Sequence, residues 1–227
     1  MAWLTGPLAA AGFLVIAVDH HGNNFVDGYL AEGFARWWER ARDLSVVLDL
    51  LGEREHLGPV GAAGFSLGGY TVAALLGARI DASRYQGLVS GAVPAPSPPE
   101  YPTLAQELRE RLSAAEVASW AAEAGLDYAD DRVLAGFLLS PGVGLLLDER
   151  SLAAIAKPVA VRWAGADEAA PPPDDARRYA ELIPGADGRS VGDEVGHYAF
   201  LADNPEFADV RELVASEAVA FFEANLR

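Results

Sequence analysis

The chain has 227 residues, of which 51% are hydrophobic, and a formal net charge of -16 at pH 7. This length fits one α/β domain of about 200–250 residues, and the acidity disfavours binding to nucleic acid or to anionic lipid, since both are also negatively charged. The chain has no cysteine and four scattered histidines, which excludes disulfides, thiolate metal sites and a cysteine nucleophile and makes a zinc site unexpected.

The first 18 residues are apolar but do not read as a signal peptide or a membrane anchor. No positively charged segment precedes them, and Gly6, Pro7 and Gly12 interrupt them. The pattern instead predicts a helix over residues 2–10. The continuous apolar run 13–18 then predicts a strand that is buried on both faces, as in a parallel sheet.

The next segment alternates helices with strands. Leu44, Val47, Leu48 and Leu51 recur at helical spacing and predict a helix over residues 34–52. A short strand over 60–64, a glycine-rich turn and a helix over 70–77 follow. This alternation predicts a doubly wound, mostly parallel sheet.

A proline-rich stretch over residues 94–102 breaks the alternation. Thr103 with Gln106, and Ser113 with Glu116, each resemble a capping box that opens a helix. The pattern predicts helices over 103–112 and 113–124, within an insertion 94–130 that would form a small helical lid on a single domain 1–227. On these helices Leu104, Leu108 and Trp120 would either face the substrate or pack the lid against the body.

The alternation returns after the insertion. Strands are predicted over residues 133–139 and 159–163, with a weaker one over 189–191. Helices are predicted over residues 151–155, 174–182 and 207–225.

The sequence Gly64-x-Ser66-x-Gly68 has the nucleophile-elbow pattern, in which a serine lies on a tight turn between a strand and a helix. The two glycines let the backbone approach closely, and the N-terminus of the following helix points at the serine. In that geometry the backbone N–H of Leu67 would stabilise an oxyanion. The alternative is a glycine-rich turn that happens to contain a serine.

A serine hydroxyl needs a base, and we predict that His197 supplies it, since it follows the last strand. His56 lies at the polar end of a helix and reads as solvated. His20 and His21 follow the first strand, and one of them, with His20 preferred, could lie at the rim of a substrate pocket. A carboxylate must orient the base, and Asp167 follows the strand over 159–163 at the carboxyl edge of the sheet. The rivals for that role are Glu168, Asp193 and Glu194.

Five stretches of the sequence resemble the dienelactone-hydrolase-like serine esterases of the α/β-hydrolase superfamily and, more distantly, the platelet-activating-factor acetylhydrolases. The resemblance implies ester hydrolysis through an acyl-enzyme without a metal or organic cofactor, with Ser66 as nucleophile, Asp167 as acid and His197 as base. It spans most of the chain except about residues 94–130. The stretches are residues 15–24 (VIAVDHHGNN), 64–71 (GFSLGGYT), 131–141 (DRVLAGFLLSP), 165–171 (GADEAAP) and 195–201 (VGHYAFL).

Two departures from the family stand out. Dienelactone hydrolases use a cysteine at the elbow, where this chain has Ser66. The strand and the loop that donate the second oxyanion N–H in the family have no counterpart before residue 1, so the fold is expected to be N-terminally shortened. Either the 13–18 strand then pairs directly with the 60–64 strand, or the sequence is a shortened version of a longer protein that could have carried an export signal.

The resulting prediction is a serine hydrolase that cleaves small-molecule carboxylic esters, with His20, Trp120 and Tyr198 contacting substrate. The alternatives are a lipase or polyesterase for bulky esters, and a catalytically impaired binding protein with the same fold. No nucleic acid or membrane partner is expected, a homodimer is possible, and the expected location is cytoplasmic.

Overall fold

The structure is a computed structural model that describes residues 1–24, 26–54, 56–93, 98, 100–201 and 205–227. Its helices are α1 (Ala2–Ala10), α2 (Ala31–Ala35), α3 (Glu39–Gly52), α4 (Leu67–Leu75), α5 (Ala82–Val89), α6 (Leu104–Arg111), α7 (Ala114–Ala124), α8 (Glu149–Ala153), α9 (Ala176–Leu182) and α10 (Ala208–Leu226). Its strands are β1 (Asn23–Asn24), β2 (Gly28–Tyr29), β3 (Val60–Phe65), β4 (Val133–Leu139), β5 (Val159–Trp163) and β6 (Asp187–Ser190). Short 3₁₀ turns lie at Gly144–Leu146, His197–Phe200 and Pro205–Phe207.

The main sheet is parallel and has the strand order β3-β4-β5-β6. Helices connect its strands, which confirms the predicted α/β class, while β1 and β2 form a separate antiparallel hairpin. Phe65 pairs with Leu139, and Leu139 pairs with Arg162, so that β3, β4 and β5 end at one edge. Residues that directly follow these strands are therefore neighbours in space.

Both faces of the sheet are covered by helices. On β4, Phe137 and Leu139 pack into a core with α1 and α10, whereas Leu138 packs into a core on the opposite face with residues of α4 and α9. Every residue of β5 is buried. The two strands are mostly apolar because both of their faces are covered. The one charged residue in them, the buried Arg162 of β5, pairs with Asp187 and Glu217.

The predicted strand over residues 13–18 is wrong. Phe13 and Val15 pack against the α1–α10 core, while Leu14 is 73% exposed and Ile16 is 44% exposed. No backbone hydrogen bond joins residues 14–19 to the rest of the described chain. The segment alternates as a strand would, but a strand exists only where a neighbour supplies ladder hydrogen bonds.

The expected direct pairing of residues 13–18 with β3 is also wrong. Among the described residues, β3 pairs with β4 alone and is an edge of the sheet. Both segments nevertheless contact α10: the ring of Phe13 lies 6.3 Å from that of Phe222, and a Cβ on Gly61 would meet the same Phe222 ring. Residues 13–18 and the edge strand β3 therefore both pack on α10 without pairing with each other.

The predicted helix over residues 34–52 is interrupted, because α2 ends at Ala35 and α3 begins at Glu39. Arg36, at φ -94° and ψ 63°, leaves the helical region and turns the chain so that Trp38 is fully buried. Helix α5 was not predicted, although Asp81 caps it by accepting the Ser83 and Arg84 N–H groups. Helix α4 begins three residues before the predicted start, at Leu67.

The predicted helix α1 and the predicted strands β4 and β5 have the observed bounds. The other predicted elements are present with shifted ends. They are 151–155 as α8, 174–182 as α9, 189–191 as β6 and 207–225 as α10.

Both helices predicted within the 94–130 insertion are present, as α6 and α7. Ser113 and Glu116 form the predicted capping box at the start of α7. The capping box predicted at Thr103 is wrong, because the Thr103 side chain makes no capping hydrogen bond. Residues 94–97 and 99 of the predicted insertion lie outside the described residues.

Candidate active site

Ser66 lies on a strained turn between β3 and α4. Its backbone has φ 54° and ψ -118°, a region that non-glycine residues rarely adopt. Its N–H donates to the Leu139 carbonyl over 2.9 Å, and its carbonyl accepts the Gly142 N–H over 3.2 Å. Neighbouring backbone thus holds Ser66 in a conformation that lifts its side chain off the sheet.

The two elbow glycines meet different surroundings. A Cβ on Gly64 would lie 2.1 Å from the Gly68 carbonyl oxygen, a distance that no packing tolerates. A Cβ on Gly68 would have no neighbour within 4 Å beyond its own helix. Close approach of the backbone therefore requires glycine at position 64 and not at position 68.

We expect Gly64→Ala to lower the melting temperature by at least about 6 °C, because the turn must open to admit the methyl group. Gly68→Ala is the matched control, and it should leave the melting temperature unchanged or raise it, since alanine favours the helix. Thermal denaturation followed by circular dichroism makes the comparison. Equal melting temperatures for the two variants would contradict the tight turn.

His197 comes from the loop after β6 and lies beside Ser66. Its Nε2 is 3.0 Å from Ser66 Oγ, and its ring centroid is 4.7 Å from that of Phe65. The imidazole is buried, and Tyr198 packs edge-on against it at 5.3 Å. These rings restrict how far the imidazole can turn away from the serine.

Asp167 follows β5 and contacts the other side of the imidazole. Its Oδ2 lies 2.8 Å from His197 Nδ1, and its Oδ1 accepts the N–H groups of Ala169 and Ala170 over 3.1 and 2.7 Å. With Nδ1–H donating to this carboxylate, the Nε2 lone pair faces the serine hydroxyl. The rivals Glu168, Asp193 and Glu194 are exposed, and none of them hydrogen-bonds to His197.

Leu67 is the first residue of α4, where backbone N–H groups have no intrahelical acceptor. Its N–H therefore remains available at the same helix end that carries Ser66. A developing negative charge there would also be favoured by the helix dipole.

His20 lies in the loop before β1 and contacts α3 rather than Ser66. Its Nδ1 is 2.7 Å from Asp43 Oδ2, and burial, together with the nearby charge of Arg40, lowers its pKa. Arg40 Nε in turn donates to Thr71 Oγ1 on α4 over 3.1 Å. His20 is thus connected to the elbow helix through side chains of α3. His56 is exposed, as expected of a solvated side chain.

Trp120 and Tyr198 occupy different parts of the surroundings. Trp120, on α7, packs against two hydrophobic clusters, with the Arg36 guanidinium 5.7 Å from its ring centroid, and Leu104 and Leu108 are buried against α2. Burial and the charges of Glu100 and Glu168 raise the pKa of Tyr198. Its ring contact with His197 places Tyr198 beside the imidazole.

One carboxyl near the site was not anticipated from the sequence. Asp175, just before α9, accepts the Gly144 N–H over 2.6 Å, and burial raises its pKa to about 6. Its position in a stretch rich in aspartate and proline gave no signal that distinguished it from Asp174 beside it.

Within the described ranges, no group of three metal-ligating side chains converges. No helix in this part of the chain combines the length and the apolar character needed to cross a membrane.

Comparisons with known proteins identify the fold. No family model matches the chain, and no curated protein matches its sequence. Among solved structures, an esterase from Exiguobacterium antarcticum aligns at 17% identity with a TM-score of 0.52, covering 97% of this chain and 85% of that one. A monoacylglycerol lipase from Paleococcus ferrophilus aligns at 16% identity with a TM-score of 0.47, covering 96% and 88%. An enol-lactonase from Burkholderia xenovorans aligns at 20% identity with a TM-score of 0.40, covering 81% and 71%. This chain has the α/β-hydrolase fold.

Proposed function

We propose that this chain is a serine hydrolase that cleaves small-molecule carboxylic esters through an acyl-enzyme. The observation that carries the proposal is the continuous relay from Ser66 Oγ to His197 Nε2 over 3.0 Å and from His197 Nδ1 to Asp167 Oδ2 over 2.8 Å. Both separations lie within the range for a hydrogen-bonded nucleophile, base and orienting acid.

In the first half-reaction Ser66 Oγ attacks the ester carbonyl carbon while its proton passes to His197 Nε2. The Asp167 carboxylate stabilises the imidazolium that forms, and the Leu67 N–H donates to the oxyanion. Collapse of the tetrahedral intermediate breaks the C–O bond, and the departing alcohol takes the proton from Nε2. Water, deprotonated by His197, then attacks the acyl-enzyme and releases the carboxylic acid.

The residues that contact the bound ester are inferred from their positions relative to the triad. We propose that residues 94–130 form a lid and that Tyr198, beside the His197 ring, contacts the bound ester. Trp120 and His20 would contact only the edge of a bound substrate, because the Trp120 ring packs against Arg36 and the His20 ring is hydrogen-bonded to Asp43.

Leu67 is the oxyanion donor that we identify in the described part of the chain. Loss of one such donor lowers turnover by about 10²–10³-fold, so we expect slow ester hydrolysis. The same observation favours a second candidate, a binding protein that keeps the hydrolase fold without useful turnover.

A chain-length series of p-nitrophenyl esters, from acetate to palmitate, tests the proposal. We expect slow turnover that prefers short acyl groups. A preference for long chains would indicate a lipase instead. A folded protein that hydrolyses no member of the series would contradict the proposal and support the binding protein.

A further inference from the structure

The loop over residues 140–144 follows β4 and contacts the backbone of the nucleophile Ser66. Gly142 donates its N–H to the Ser66 carbonyl over 3.2 Å. Ser140, which is fully buried, accepts the Ala164 N–H on its Oγ over 3.1 Å, and Ala164 follows the strand that leads to Asp167. One loop thus contacts the backbone that carries Ser66 and the backbone that leads to Asp167.

The backbone of this loop is strained, so contacts with the rest of the chain must stabilise its conformation. Ser140 at φ 36° and Val143 at φ 58° are both in the left-handed region, where side chains other than glycine are disfavoured. Such conformations persist where surrounding contacts determine them. Here the contacts come from α9 and the residue before it.

Three side chains make those contacts. The Tyr179 hydroxyl donates to the Gly142 carbonyl over 2.7 Å, and Arg178 Nε donates to the Gly144 carbonyl over 3.3 Å. Asp175 Oδ1 accepts the Gly144 N–H over 2.6 Å, the shortest of the three. A Cβ on Gly144 would lie 2.7 Å from the Asp175 Cα, so the two backbones are in close contact as well.

We propose that Asp175 is a positioning residue for ester hydrolysis: its carboxylate clamps the 140–144 loop against Ser66, and its negative charge stabilises the imidazolium of His197 in the transition state. The inference rests on the proposed function. The mechanism above makes no use of this carboxyl, and it touches neither the substrate nor the reacting atoms.

The charge can act on the triad because Asp175 is half-buried and interacts electrostatically with Asp167 and His197. The pKa of Asp175 is raised to about 6, mainly by burial and also by the charges of Asp167 and Asp174, against the lowering effects of the Gly144 hydrogen bond and the charge of His197. Its environment contains further titratable groups on its own helix and on α8. They are Arg178, which pairs with Glu149, and Tyr179. At pH 8 the Asp175 carboxyl is therefore ionised, and at pH 5 it is protonated.

Asp175→Asn separates the charge from the hydrogen bond, because an amide oxygen still accepts the Gly144 N–H. Asp174→Asn is the matched control, since it removes one charge from the adjacent, exposed residue. For Asp175→Asn we expect kcat at pH 8 to fall roughly 3–10-fold with KM unchanged, because the imidazolium loses a favourable charge. The acid limb of the kcat/KM profile should also move to lower pH, since a neutral residue 175 no longer favours the protonated imidazole.

Asp175→Ala removes the acceptor as well as the charge, and its kcat should fall below that of Asp175→Asn. The experiment is a pH profile of p-nitrophenyl acetate hydrolysis from pH 5 to 9.5 for the wild type and the three variants. An active wild type whose profile superimposes on that of Asp175→Asn would overturn the inference and leave the proposed function intact. A wild type that hydrolyses no ester would overturn the proposed function itself.

The Gly144 amide gives a readout that does not depend on turnover or on the alanine variant folding. In ¹H–¹⁵N spectra of the wild type its proton shift should titrate with a midpoint near pH 6, and the titration should vanish in Asp175→Asn. A Gly144 amide that is insensitive to pH in the wild type would contradict the clamp.

Discussion

Replacing Ser66 with alanine is expected to lower the turnover of p-nitrophenyl acetate about 10⁴-fold or more, to the background of the buffer. The substitution removes the Oγ atom that lies 3.0 Å from His197 Nε2, so no acyl-enzyme can form. Initial rates at pH 8 measure the effect, with circular dichroism to confirm that the variant is folded.

The matched control is Ser216→Ala, which removes the hydroxyl of an exposed serine on α10. It should keep the wild-type rate. If Ser66→Ala retained more than a tenth of the wild-type turnover while folded, Ser66 would not be the nucleophile.

Asp167→Asn is expected to lower kcat by about 10⁴-fold at neutral pH while leaving KM within a few-fold. An asparagine amide can donate to Nδ1, which favours the tautomer that carries the proton on Nε2. His197 would then point a proton, and not a lone pair, at Ser66. Stopped assays with high enzyme concentration are needed to measure so slow a rate.

Glu168→Gln provides the control for Asp167, since it neutralises the exposed carboxylate next in the chain. Its kcat should stay within a few-fold of the wild type. A larger loss of kcat in Glu168→Gln than in Asp167→Asn would show that Asp167 is not the acid that orients His197.

Elements with a strong local signal could be predicted from the sequence. β4 and β5 are mostly apolar strands covered on both faces, and α7 opens with the Ser113–Glu116 capping box. Elements that depend on distant partners could not. Residues 13–18 have a strand-like composition but no neighbour with which to pair, and the break at Arg36 follows from burying Trp38.

The arrangement of Ser66, Asp167 and His197 follows from topology, because each residue comes after a strand of the sheet and the strands end at a common edge. The role of Asp175 could not be predicted in the same way. Its partner Gly144 is 31 positions away, and the contact exists only because α9 packs beside the loop after β4. Sequence spacing gives no information about such a contact.

The proposed oxyanion site has fewer donors than that of an efficient esterase. Leu67 supplies one N–H at the start of α4, and the unpaired edge of β3 runs directly into the elbow. A catalyst with this site would acylate slowly but would still acylate, because the nucleophile, base and acid are in hydrogen-bonding contact. Covalent labelling therefore tests whether Ser66 is an activated nucleophile more directly than a turnover assay does.

The decisive measurement is mass spectrometry of the protein after incubation with a fluorophosphonate probe, followed by peptide mapping of the adduct. We expect a single adduct on Ser66 in the wild type and none in a folded His197→Ala variant, since the serine hydroxyl needs the base to react. A folded wild type that remains unlabelled, or that is labelled at another residue, would contradict the assignment of Ser66 as an activated nucleophile.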